Sequence, residues 1–250
     1  IQGWPRHYVA QAYQDWLYTQ EYPFDKQKIQ DRRGNYSCRS WLADVPELYS
    51  SRAPGNTCLS ALSAQKNGKD FVNDYAKEPQ NQSKGCGGIM RVAPVALNYK
   101  HMEMGTLDME GAQIAAITHG HSLGYMPAAI VTHIINCIVF GEEKKTLKNI
   151  VIEARDKVAE IFRGDRHLKE LTDIINLAIE LSGNEADDLD NIHRLGEGWV
   201  AEETLDIALY CALRYQDDFS AGVISAVNHK GDSDSTGAVT GNILGALLGY

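Results

Sequence analysis

No two of the five cysteines, Cys38, Cys58, Cys86, Cys137 and Cys211, stand in a C-x-x-C pair. An odd, scattered set in a chain of 250 residues fits reduced thiols in a cytoplasmic setting better than a disulfide framework. Positive charge is also short. Against 33 Asp and Glu stand 24 Lys and Arg, for a formal net charge of −9. That balance argues against a general nucleic-acid or anionic-membrane surface, which needs a basic face, so an anionic ligand must be held by local groups. No signal-peptide pattern opens the chain. Residues 123–140 are apolar over a spanning length, but His133 and Asn136 lie inside the stretch, and it reads as a buried helix. Strand-like alternation, internal repeats, low-complexity segments and a domain linker are all lacking. The expectation is one all-α domain over residues 1–250.

What is present is helical spacing. Tyr8, Ala12, Trp16 and Leu17 form one stripe, and Pro23 breaks it. Residues 25–35 read as a short basic helix or loop, 37–56 as mostly loop, and 57–65 as helix again. A polar run over 67–84 then leads into a glycine-rich loop. Asp108 is placed to cap a helix running through Thr118, since a carboxylate satisfies free N–H groups in a first turn. Further helices are expected up to Gly141, near 146–163 and 168–182, and over 202–213, with the acidic run 184–190 as a solvated loop. The last helix, 236–249, carries Gly237, Gly241, Gly245 and Gly249 on one face. Each interior glycine costs about 1 kcal/mol relative to alanine, so close approach of another backbone is expected there.

The sharpest chemical signal is Gly231-Asp232-Ser233-Asp234-Ser235-Thr236, directly before that glycine helix. Two carboxylates one residue apart repel each other unless a cation lies between them, and with hydroxyls they make a hard-oxygen cluster suited to Mg²⁺. The plain alternative is a helix N-cap, for which one Asp suffices. A haloacid-dehalogenase reading of D-x-D-x-T fails because no hydrophobic strand precedes it. An EF-hand reading fails because Ile243 stands where the twelfth-place glutamate belongs. A second signal is the run from Ser83, Lys84, Gly85 and Cys86 through Gly87 and Gly88 to Arg91 and Pro94, whose glycines let backbone N–H groups turn toward phosphate. Cys86 has no evident partner base and is not read as a nucleophile. A third is Thr118-His119-Gly120-His121 between two helices, with His119 as a substrate contact and His133 as structural.

In this order, and with Arg52-Ala53-Pro54-Gly55-Asn56-Thr57-Cys58 and the segment Leu195-Gly196-Glu197-Gly198-Trp199-Val200 followed by Glu202-Glu203, the chain resembles the ADP-ribosylglycohydrolase family, also called dinitrogenase-reductase-activating glycohydrolase or crystallin J1-like. The resemblance implies an orthogonal all-α bundle around a two-magnesium centre, with Mn²⁺ as an alternative ion. It places metal ligation on Asp232, Asp234 and Ser235, with catalysis through the two aspartates. Binding of ADP-ribose falls on Ser83, Lys84, Gly85, Cys86 and His119. Many members have asparagine at the place of Cys86. The family's glycine-acidic opening and its Thr/Ser-Asp-Asp motif are not among these residues, and the sequence enters the fold just after them, within what reads as a helix start at Ile1. An upstream segment is therefore expected to be missing.

The implied reaction is magnesium-dependent hydrolysis at C1″ of the distal ribose, through a transition state of oxocarbenium character. Its partner is ADP-ribose or an ADP-ribosylated protein. Two alternatives stand beside it: a non-catalytic ADP-ribose binder or structural paralogue, and a hydrolase of small ADP-ribose conjugates.

Overall fold

The computed structural model describes residues 4–35, 37–66 and 72–249, so Ile1 and residues 67–71 of the expected polar run lie outside it. Among the described residues twelve α-helices follow one another: α1 (Pro5–Glu21), α2 (Lys26–Gly34), α3 (Asn56–Lys66), α4 (Ala93–Asn98), α5 (Met104–Ala116), α6 (Ser122–Phe140), α7 (Leu147–Ile161), α8 (Leu168–Ser182), α9 (Asp188–Leu195), α10 (Ala201–Arg214), α11 (Phe219–Val227) and α12 (Ser233–Leu248). Short 3₁₀ turns link α2 to α3 and precede α4. Among the described residues the extended pairing is a single antiparallel bridge, Gly85 to Val200. The all-α expectation holds.

Helix α6 is the axis of the core. It is long and apolar enough to cross a membrane, and 78% of that span is buried inside the protein. Ile130, Val131, Ile134 and Ile135 are enclosed by α4, α5, α7, α10 and α12. Burial of such side chains contributes on the order of 2 kcal/mol each. Side-chain caps fix several starts: Asp25 accepts from the N–H groups of Gln27 and Lys28, Thr146 from Asn149, and Asp218 from Ala221. A smaller cluster of Ile29, Cys38 and Ala43, backed by Tyr49, holds α2 to the turns that follow it.

Three expectations are corrected. Asp108 caps nothing: Glu103 is the cap of α5, accepting from Gly105 and Thr106, while Asp108 lies fully buried and accepts from His133 Nδ1 at 2.9 Å. The acidic run 184–190 is a solvated loop only over 184–187, and its remaining residues open α9. Asp187 caps α9, and Asp188 accepts from Tyr210 and Tyr215, both at 2.6 Å. The glycine face of α12 meets side chains instead of a backbone. A Cβ at Gly237 would press on Val227 of α11 and one at Gly245 would touch Phe219, whereas Gly241 has nothing within 4 Å. Gly249 is a left-handed C-cap, which explains that glycine alone. Helix α11 itself was not expected.

Candidate functional site

Asp232 ends the turn before α12 and packs against the glycine loop. Its backbone N–H donates to Glu197 O at 2.7 Å, and its Oδ2 accepts from Cys86 Sγ at 2.8 Å and from Ser235 Oγ at 2.9 Å. Gly231 makes this turn possible, since a Cβ there would overlap the carbonyl of Glu197. Gly198, at φ +80°, fits over Thr236 and Asp232 for the same reason. Burial pushes the Asp232 carboxyl up, but hydrogen bonds from Asp234, Cys86 and Ser235 outweigh it and hold the group below the usual carboxylate range. Asp234 is exposed, and its carboxyl is raised, first by the hydrogen bond shared with Asp232. The two carboxylates thus respond to each other in opposite directions, Asp232 held down and Asp234 pushed up, and a cation between them would relieve their repulsion. The donors, two carboxylates and the Ser235 hydroxyl, are hard oxygens and fit Mg²⁺.

The glycine loop is held from behind by the segment leading into α10. Beside the Gly85–Val200 bridge, Cys86 N–H donates to Trp199 O at 3.3 Å and Ala201 N–H to Lys84 O at 2.8 Å. Gly85 N–H is taken by Ser83 Oγ at 3.3 Å. The N–H groups of Gly85 and Cys86 are therefore engaged inside the protein, which narrows what the loop can offer an anion. Lys84 Nζ reaches back to Glu202 Oε1 of α10. It is pinned at one end of the loop with 40% of its side chain exposed.

His119 lies beneath the loop, its ring against Gly85 and Gly87, and its Nδ1 is 2.8 Å from Thr118 Oγ1. Arg91 Nη2 donates to that hydroxyl, and the guanidinium stacks over Tyr13 at 4.6 Å. Burial, and then the charge of Arg91, lower His119 to about 4, so the ring is neutral at ordinary pH. Ser83 stands 3.5 Å from Thr57 Oγ1, which brings in α3.

The candidate residues form two groups that meet at the Cys86–Asp232 contact. Asp232, Ser235 and Cys86 are joined by hydrogen bonds, Ser83, Gly85 and His119 are in contact, and Lys84 turns toward α10. Asp206 was missed. It is fully buried on α10, Oδ1 has no partner, and burial followed by the charges of Glu202 and Glu203 raises it well above the usual range. A signal was there: Glu202 and Asp206, one helical turn apart, interrupt an otherwise apolar face that includes Leu205 and Leu209.

Comparison with known proteins gives the same direction. The family model described as ADP-ribosylglycohydrolase matches residues 2–250. An uncharacterized protein of Archaeoglobus fulgidus is 29% identical over 168 residues, covering 66% of this chain and 50% of that protein. The ADP-ribosylhydrolase ARH3 of Homo sapiens is 26% identical over 192 residues, covering 67% of this chain and 51% of the human protein. ARH3 of Bos taurus is 24% identical over the same length. The chain spans about half the length of these relatives.

Proposed function

The chain belongs to the ADP-ribosylglycohydrolase family, and from that premise we propose that it hydrolyses the glycosidic bond between ADP-ribose and a modified acceptor, a protein side chain or small conjugate, with magnesium. The observation that carries the reading is the 2.8 Å contact of Cys86 Sγ with Asp232 Oδ2, which sets a glycine loop directly against the Asp232–Asp234 carboxylate pair.

Asp232, Asp234 and Ser235 would hold the divalent ion, which when bound supplies a Lewis acid to polarise ribose hydroxyls and water. Ionised Asp232 is kept so by the Cys86 thiol and the Ser235 hydroxyl, and Asp234, nearer solvent, orients water. Thr118 Oγ1 accepts from Arg91, so its own proton is available to His119 Nδ1, and Nε2 then carries its hydrogen toward the glycine loop. His119 acts as a neutral donor beneath the ribose–diphosphate path. Lys84, held by Glu202, sets positive charge at the loop's edge.

The N-terminus of α12 brings three protein oxygen donors, while each Mg²⁺ takes about six ligands. Water and substrate oxygens would fill the remaining places; the second reading, an alternative to hydrolysis, is a protein that binds ADP-ribose without turning it over.

The experiment is release of ADP-ribose from an ADP-ribosylated protein, with magnesium and with a chelator, beside calorimetry of ADP-ribose on wild type and Gly85→Val. Valine at 85 presses on His119 and Ser83, so weaker binding is expected. Release that stops with chelator or in Asp234→Ala supports the hydrolase, and binding without release supports the second reading. Equal affinity in Gly85→Val sinks the loop assignment.

A further inference from the structure

Helix α6 leads away from the candidate site, and its far end carries a different chemistry. His133 and Cys137 are one turn apart on α6, and Glu153 faces them from α7. One ligand atom from each, an imidazole nitrogen, the thiol sulfur and a carboxylate oxygen, lie within 4.8 Å of one another. His133 is 1% exposed, and its Nε2 has no hydrogen-bond partner. Its Nδ1 is fixed at 2.9 Å from Asp108 Oδ2, so the ring is held with Nε2 directed outward from that carboxylate.

We propose that His133 Nε2, Cys137 Sγ and a Glu153 carboxylate oxygen form a zinc site that clasps the C-terminal end of α6 to α7. Nitrogen, sulfur and oxygen donors together suit Zn²⁺ and not Mg²⁺. Tetrahedral zinc with bonds of about 2.0–2.3 Å brings its ligands to about 3.3–3.8 Å of one another, so closure by about 1 Å suffices. Cys137 and Glu153 are half-buried, so neither side chain is locked by the core against that adjustment. Asp108 plays the part that an outer carboxylate plays behind a ligating imidazole, fixing the tautomer and the ring plane. Lys145 Nζ holds Glu153 Oε2 at 2.8 Å and leaves the other oxygen for the ion. A cavity of about 340 Å³ borders Cys137 and is lined also by Glu142 and Glu143, where water or a carboxylate completes the shell. Zinc entering displaces the protons of the Cys137 thiol and, where one is present, of Nε2, so both leave as H⁺ and no oxidant is involved. The site lies on α6 about 17 Å along the helix from Ser122, separate from Asp232 and its neighbours.

The test is zinc titration of the chelator-treated protein against a competing chromophoric chelator, with Co²⁺ as a spectroscopic probe. Expected are one zinc per chain, a shift of the melting temperature upward, and a thiolate-to-cobalt charge-transfer band. Cys137→Ser should weaken zinc binding by more than 100-fold and remove the band, and Glu153→Gln should weaken it about 10-fold. Both side chains are half-exposed, so these variants keep the fold where His133→Gln risks it. Asp232→Asn should retain the zinc equivalent, and a large excess of Mg²⁺ should not displace it. Substoichiometric zinc, unchanged affinity in Cys137→Ser, or a cobalt spectrum without the thiolate band would overturn the assignment.

Discussion

The Cys86 thiol donates to Asp232 Oδ2 across 2.8 Å and is thereby spent on holding a carboxylate, not on attacking a substrate. Burial, then the hydrogen bond to Asp232, push the thiol up to about 12. Alkylation needs the thiolate. Iodoacetamide at pH 8 should modify Cys86 roughly 1,000-fold more slowly than a thiol at its ordinary value. Cys86→Ala should raise the Asp232 carboxyl by removing one donor, and Asp232 titration by NMR would show it. Rapid, selective labelling of Cys86 in the folded protein would refute this account.

His119 gives a pH dependence whose sign is fixed by its lowered value. The unfolded imidazole titrates near 6.5 and the folded one near 4, so the unfolded state binds more protons between those values. The contribution of neutral His119 is full above about pH 6.5 and is lost as pH falls toward 4. Its upper size is about 3 kcal/mol, taken from the separation of the two values. Denaturant melts of wild type and His119→Gln should diverge at pH 7 and converge near pH 4. Parallel pH profiles would count against a buried neutral ring.

Two glycines make opposite predictions. Gly231→Ala forces a methyl group into the Glu197 carbonyl and should cost about 3 kcal/mol or more, with loss of the Asp232 geometry. Gly241→Ala meets nothing within 4 Å on a helix and should stabilise by up to about 1 kcal/mol. Thermal melts of the two variants decide it, and equal effects in both would show that the α12 surroundings are misread.

Most helices were legible because their apolar spacing is local, though the short α9 and α11 were not, and the Gly231–Thr236 run was legible because carboxylates and glycines stand together in the chain. Asp108 shows the limit. An acidic residue near a helix start resembles a cap, and only its contact with His133, 25 residues away, reveals a buried pair. The four glycines along α12 and its cap repeat regularly, yet they answer to four different surroundings: Val227, open space, Phe219 and a left-handed turn. Asp206 left only the trace of an acidic residue on an apolar face.

The Lys84–Glu202 pair can be tested by removing either partner. Lys84→Met strands the Glu202 carboxylate, already raised by burial and with Oε2 unpartnered, and should destabilise by about 1–2 kcal/mol, less than a fully enclosed pair because Lys84 is partly solvated. Glu202→Gln should cost less, since the amide oxygen still accepts from Lys84. Denaturant midpoints of the two variants would show the order, and a larger loss for Glu202→Gln would reverse the argument.

The bonds that shape the loop join distant parts of the chain: Lys84 and Glu202 are 118 residues apart, and Cys86 and Asp232 are 146 apart. Helices form from neighbours in sequence, whereas these contacts close long stretches of chain and meet their entropy loss before any gain. In refolding, helical signal should therefore return early, while the walls around Asp232 assemble among the last features of the molecule.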